Sequence, residues 1–254
     1  MAGPSSTAYL LTENLMLRGT ISSSATAAGS NPLNALDYRT TSYWRPAAPG
    51  ACWIESTFTT PVIIDSVGLY RHNCASAGAS VQVQYHDGSD WVTVQTLSSL
   101  TDNQCVLRRW TGGVASTRWR VLFNTTAALV LGVLVLGRAV RLPYGMPAGF
   151  VPPRFGRQTD LLSNKTEAGQ FAGRAVIQRG AVTEIQQPRV PVDWMRSTGE
   201  QVLLHAEQRP FFFSWADVAY PADCVYCQVR GEIPAARVIE RGWMSFSLPV
   251  ECLL

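Results

Sequence analysis

The 254 residues are 46% hydrophobic and only 15% charged, a composition that supplies a core, excludes disorder by composition and fits two domains better than one. The net charge is +3, and Lys165 is the one lysine among the 21 basic residues. The arginines form no run, so nothing resembles the basic stripe of a nucleic-acid binder. Arginine over lysine suits a GC-rich genome, and its planar fork also suits protein interfaces.

In chain order, Met1 to Thr12 lacks the basic and apolar regions of a secretory signal, which predicts a soluble protein made in a cytoplasm. Asn31 to Asp37 reads as a short helical turn. Pro61 to Tyr70, Ser80 to Tyr85, Asp90 to Leu97, Cys105 to Trp110 and Arg118 to Phe123 read as strands, rich in β-branched and aromatic residues between turn residues. His86-Asp-Gly-Ser-Asp90 is a hairpin signal, since Asp-Gly supplies the positive backbone angles of a tight turn. Ala127 to Leu136 is the most apolar run, but it is about half the length of a membrane helix and contains Gly132, so it reads as a buried strand and no membrane insertion is expected. Strands at this spacing predict a β-sandwich.

Four prolines and two glycines in Leu142 to Pro153 fix an extended connector. The expected division is a domain over 1–142, a linker over 143–153 and a second domain over 154–254. Beyond the linker, strands are expected at Gly169 to Gln178, Val182 to Gln186, Pro210 to Trp215, Cys224 to Arg230 and Trp243 to Pro249, with one short helix around Val192 to Leu204.

Cys224-Val-Tyr-Cys227 is the one CxxC among six irregularly spaced cysteines. A zinc site would want a second pair, or histidines at ligand spacing. Buried free thiols are expected. No nucleophile elbow, phosphate loop, His-Glu-x-x-His or dinucleotide fingerprint is present. Asp87 and Asp90, like Asp217 and Asp223, flank turns rather than a cleft, so the chain does not read as an enzyme.

Asn34-Ala-Leu-Asp-Tyr-Arg-Thr-Thr-Ser-Tyr-Trp44, Cys52-Trp-Ile-Glu-Ser-Thr-Phe58 and Pro61-Val-Ile-Ile-Asp-Ser-Val-Gly-Leu-Tyr-Arg-His-Asn73 form an ordered series, followed by Ser80 to Tyr85, Trp91 to Val94, Thr117 to Phe123 and Ala127 to Arg138. The series resembles the discoidin (factor V/VIII type C, galactose-binding-like) jelly roll over Asn14 to Leu142. The resemblance implies loops at one end that hold sugars, lipids or proteins, often beside a structural calcium. It puts Asp37 at the loop aspartate, followed by Tyr38 where glycine is common. Asp37 is then either a calcium ligand or the cap of its own turn. Tyr43, Trp44, Arg71, His72 and Asn73 fall in two loops that such a fold brings to one end, an aromatic platform with polar groups fit for a sugar. Against this, Trp44 also stands where the family buries a core tryptophan, and His72 can serve a loop carbonyl.

Asn164 to Arg174, Val192-Asp-Trp-Met-Arg196, Pro210-Phe-Phe-Phe-Ser-Trp215, Tyr220-Pro221 and Gly242 to Leu248 resemble the tail-tube-related β-sandwich of minor and distal tail proteins of long-tailed bacteriophages. The resemblance implies a structural protein of the virion, placed in the baseplate at the tail tip. Its partners would be further copies of itself in a six-fold ring, the tail tube, the hub and, through the first domain, a cell-surface glycan aiding host attachment. Phe211, Phe212, Phe213 and Trp215 would lie at a subunit contact or in a thick internal core. The alternative is a carbohydrate-binding module whose main business is glycan recognition. The fold class expected is all-β, a discoidin-like jelly roll and a tail-tube-like sandwich with one short helix.

Overall fold

In a computed structural model the chain is built mostly of β-strands, with one α-helical segment and two short 3-10 turns at Leu15–Arg18 and Pro32–Ala35, the second within the expected helical turn at Asn31 to Asp37. The structure describes residues 7–97 and 100–253, without the side chains of residues 159, 160 and 177–179. Residues 1–6, half of the N-terminal stretch read above for a secretory signal, lie outside the described residues, as does residue 254. Two compact units emerge: Tyr9–Arg141 with Phe211–Phe213, and Leu142–Pro210 with Ser214–Leu254 and residues 7–8.

The first unit contains β1 (Tyr9–Leu11), β2 (Thr20–Ser23), β3 (Ala51–His72), β4 (Ser80–His86), β5 (Trp91–Leu97), β6 (Val106–Asn124), β7 (Leu131–Gly137) and β8 (Val140–Arg141). Its main sheet runs β2-β3-β6-β4-β5, with β7 also paired to β3; β1 pairs with β8. The strand expected at 61–70 proves continuous with the 52–58 motif in one bent strand, and those expected at 105–110 and 118–123 are likewise one. The bend in β3 is a register shift between Thr57 and Val62. Pro61 sits inside it, where its missing N–H costs the ladder nothing. A second register shift, between Ile64 and Ser66 of β3, leaves Trp110 to Gly113 of β6 opposite Asp65, and Gly112 takes φ 76° there, a conformation glycine adopts without strain. Each long strand therefore changes neighbours along its length: the first part of β3 pairs with β2 and the last part with β7.

Alternation decides the core. Cys52, Ile54 and Ser56 of β3 and Trp119, Val121 and Phe123 of β6 are buried, while the residues between them face outward. Trp44, Leu69, Val81, Val83, Leu131 and Leu134 complete the packing. Two buried polar side chains are tied to backbone groups: the Trp119 indole N–H donates to the Val62 carbonyl at 3.2 Å. The Asn14 amide donates to the Leu36 and Leu134 carbonyls and accepts from the Leu136 N–H.

The second unit holds β9 (Arg157–Lys165), β10 (Phe171–Pro191), a helical segment running from α1 (Val192–Trp194) through a π-turn at Met195–Gly199 into α2 (Glu200–Gln208), then β12 (Cys224–Val229), β13 (Arg237–Glu240) and β14 (Trp243–Leu253). Its strand order is β12-β14-β10-β9, with β13 also on β14. The helical segment outruns the expected Leu204 by four residues, and β9 and β13 were not expected as strands. Cys227 meets Cys252, its register partner, and burial pushes the Cys227 thiol up in pKa. All six cysteines are free thiols.

β11 (Phe211–Ser214) comes between α2 and β12 in sequence, yet Phe211–Phe213 belongs to the first unit, beside β1. An added Cβ on Gly68 would stand 2.6 Å from the Phe212 ring, so the absence of a side chain on β3 makes room for that phenylalanine. The reading of Phe211, Phe212, Phe213 and Trp215 as a subunit contact is thereby corrected. The three phenylalanines have no exposed surface to offer, and half-buried Trp215 packs between Phe150 and Tyr220 at ring distances of 6.1 and 5.1 Å. These aromatics fill the chain's own packing.

Candidate functional site

The site begins with Trp44. Its side chain is fully buried, 6.2 Å from the Phe123 ring, and its backbone bridges Leu131 by two hydrogen bonds of 2.8 and 3.0 Å. The loop before it is tied down: Ser30 Oγ and the Asn34 amide both donate to the Tyr43 carbonyl, at 3.3 and 3.2 Å. Tyr43 is thus fixed in place beside the start of β7.

The opposite wall is the end of β3. Tyr70 pairs with Val133 and His72 with Leu131, leaving Arg71 across from Gly132. Arg71 takes φ 54°, the left-handed region that non-glycine residues rarely occupy. An added Cβ on Gly132 would lie 2.8 Å from the Arg71 Cβ and 2.9 Å from its carbonyl oxygen, so only glycine tolerates this approach. The exposed Arg71 guanidinium donates through Nη2 to Tyr43 Oη at 2.8 Å. A phenol ring and a guanidinium are locked together at the surface, with further N–H donors on the arginine.

The other expected sugar contacts are corrected. Trp44 is core, and its indole N–H is taken by Thr26 Oγ1 at 3.2 Å. His72 is buried, and its Nδ1 accepts the Cys74 N–H at 3.3 Å. Burial lowers the His72 pKa, opposed by the Gln104 backbone and the charge of Asp102. Asn73 uses both ends of its amide as a clamp, donating to the Ala128 carbonyl at 2.8 Å and accepting the Val130 N–H at 2.7 Å. Each of the three builds the loops rather than facing a ligand. Gly132 was noticed only as a breaker of an apolar run; its role depends on strand pairing that the sequence does not display.

Asp37 is the cap of its own turn. One carboxylate oxygen accepts the Arg39 N–H at 2.9 Å, and the Ser42 hydroxyl lies 3.1 Å from both oxygens. Calcium takes six to eight oxygen ligands. Among the described residues no three His, Cys, Asp or Glu side chains gather where a cation could be held. The donor set around Asp37 does not fit calcium. Among the described residues, no helix is long and apolar enough to cross a membrane.

No family model matches the chain, and no curated protein matches it. Among solved structures, chitosan-binding module 1 from a chitosanase/glucanase of Paenibacillus sp. IK-5 is 24% identical, with a TM-score of 0.40, over 49% of this chain and 98% of that one. CpGH89CBM32-6 from Clostridium perfringens is 16% identical, with a TM-score of 0.42, over 50% and 99%. SpGH29 is 20% identical with a TM-score of 0.42, and the match spans 50% of this chain but only 28% of that longer one.

Proposed function

We propose that the protein is a glycan-binding protein that acts by recognition rather than catalysis, and that Tyr43 and Arg71 are its sugar contacts. One observation carries this reading: Arg71 is held at φ 54° opposite Gly132, with its guanidinium on Tyr43. A left-handed conformation costs an ordinary residue roughly 1–2 kcal/mol, and such strain gathers at binding sites. Glycine would satisfy the backbone there, so the exposed arginine is kept for what its side chain does. The phenol ring offers an apolar face for the C–H side of a pyranose, and the remaining guanidinium N–H groups suit its hydroxyls. A cell-surface glycan is the natural partner. The test is a glycan array probed with the full chain and with Arg71→Ala: binding to a restricted set of neutral sugars, lost in the variant, is expected, and an array silent with the wild type overturns the reading.

A second reading is favoured by the ribbon of β9 and β10. Among the described residues, Phe171 to Val176 pairs only with β9, whereas β14 pairs with β10 from Gly180 onward. Leu161, Leu162, Phe171 and Val176 are exposed on it, and two strands without a third are marginal in water. Covering such a ribbon with a neighbouring copy fits a ring-forming subunit of a bacteriophage tail tip, contacting tube and hub within the virion, with the first unit as its host-surface reader. Electron microscopy of the purified protein, or of particles containing it, would show a closed six-fold ring; absence from purified virions rules this reading out.

A further inference from the structure

The outward face of the main sheet carries an ordered polar cluster, with Glu55 and Gln84 buried within it. Register places its outward residues in rows across the strands: Trp53 of β3 opposite Leu122 of β6, which faces Gln82 of β4, and next to them Glu55 opposite Arg120, which faces Gln84. Arg118, on the same face of β6 two residues from Arg120, directs Nε and Nη2 to one Glu55 oxygen, each at 2.8 Å. Both guanidiniums lie on the indole of Trp91, at 5.1 Å for Arg118 and 4.1 Å for Arg120.

The two arginines differ in what neutralises them. Arg118 has Glu55. Arg120 has a neutral acceptor, Gln84 Oε1 at 2.7 Å from its Nε, and the Trp91 ring. Among the described residues no carboxylate lies within ion-pair distance of it. Desolvation, offset by Glu55 and reinforced by Arg118, lowers the Arg120 pKa, yet an arginine stays charged at any physiological pH. The result is a half-buried cation whose plane is fixed by stacking and by one hydrogen bond, with its terminal nitrogens left to meet an anion. A guanidinium so fixed binds a planar acid group through two parallel hydrogen bonds, with little rotamer entropy left to lose.

We propose that this face is a second binding site, for an acidic glycan, in which Arg120 takes the carboxylate of a uronic acid while half-buried Trp53 supports a neighbouring sugar ring. Glu55 and Gln84 are positioning residues: Glu55 occupies Arg118, so that Arg120 alone remains for the ligand, and Gln84 sets its plane. Gln82 Oε1 and Thr93 Oγ1 accept from Gln84 Nε2 at 3.1 and 2.9 Å, which leaves the Gln82 NH2 and the Thr93 O–H to donate to sugar hydroxyls, partners that a site for a simple inorganic anion would not need.

Affinity electrophoresis of the full chain through gels containing alginate, against gels containing its propylene glycol ester, tests this. Wild-type protein is expected to be retarded by alginate and not by the ester. Arg120→Gln, which keeps a donor for Gln84, should lose the retardation. Arg120→Lys, which keeps the charge but not the fork, should weaken it at least tenfold. Arg71→Ala should leave it unchanged, separating this site from the loop end. Migration of the wild type unaffected by alginate, equal retardation by alginate and ester, or full retention by Arg120→Lys would each overturn the proposal. Melting curves of both Arg120 variants guard against misfolding as the cause.

Discussion

Two apolar segments from the same half of the sequence meet opposite fates. Phe211, Phe212 and Phe213 of β11 are completely buried, whereas Phe171 of the β9–β10 ribbon is 68% exposed and Leu162 53%. Residue type alone does not separate them, since both place aromatic or aliphatic side chains on strands, in an unbroken run in β11 and among polar and charged neighbours in the ribbon. Topology does: β11 lies beside β1 with a glycine of β3 facing Phe212, while the ribbon pairs Phe171 to Val176 with β9 and leaves Phe171 and Val176 exposed. Apolar residues show what a chain is able to bury, and strand order decides what it does bury.

The sharpest way to break that contrast is Phe212→Ala, expected to cost about 3–5 kcal/mol as a large-to-small change in a closed core, read as a lower denaturant midpoint of the first unit. A midpoint close to wild type would mean that β11 is not part of that core. Gly68→Ala attacks the same contact from the other side, and overpacking the Phe212 ring is expected to cost about 1–3 kcal/mol. The partner substitution on the ribbon, Phe171→Ser, should move the midpoint by no more than about 0.5 kcal/mol. Its effect belongs in sedimentation, where any self-association of the wild type should weaken.

The first unit also predicts a pH dependence. His72 is neutral when folded because burial lowers its pKa, so the unfolded chain binds the proton first. Stability contributed by the neutral ring is present above the unfolded histidine value of about 6.5 and is lost as pH falls from there through the lower folded value. Urea midpoints measured from pH 7.5 to 5 should fall, and His72→Asn, which keeps an acceptor for the Cys74 N–H, should flatten the slope. An unchanged slope in the variant assigns the effect to another group. Among the thiols, burial pushes Cys52 up to about 11 and Cys74 up to about 12. Alkylation at pH 8 should therefore modify the partly exposed Cys105 well before either.

Much of the strand pattern was legible because alternation is local: Arg118-Trp-Arg-Val-Leu-Phe123 shows on its own which side chains turn inward. The composition shift at Leu142 to Pro153 was legible for the same reason. The return of Phe211–Phe213 to the first unit was not, because it depends on a gap at Gly68 far away in sequence. The loop end was half legible. Tyr43 and Arg71 were brought together by the expected loops, but Trp44, His72 and Asn73 have the chemistry of ligand contacts and are spent on core and clamps, a distinction set by pairing with Leu131, Cys74 and Val130. Arg118 and Arg120 drew no notice in the sequence because Trp91, which aligns them, comes from another strand.

The central claim, that Arg71 is held in a strained conformation for the sake of a bound sugar, is tested most directly by Arg71→Gly. Glycine relieves the left-handed backbone at φ 54° and removes the guanidinium in one step. Saturation-transfer NMR with galactose, N-acetylglucosamine and lactose, together with a melting curve, should show sugar signals with the wild type, none with Arg71→Gly, and a melting temperature equal to or above that of the wild type. Sugar signals that persist in the glycine variant, or a marked fall in its melting temperature, would contradict the account.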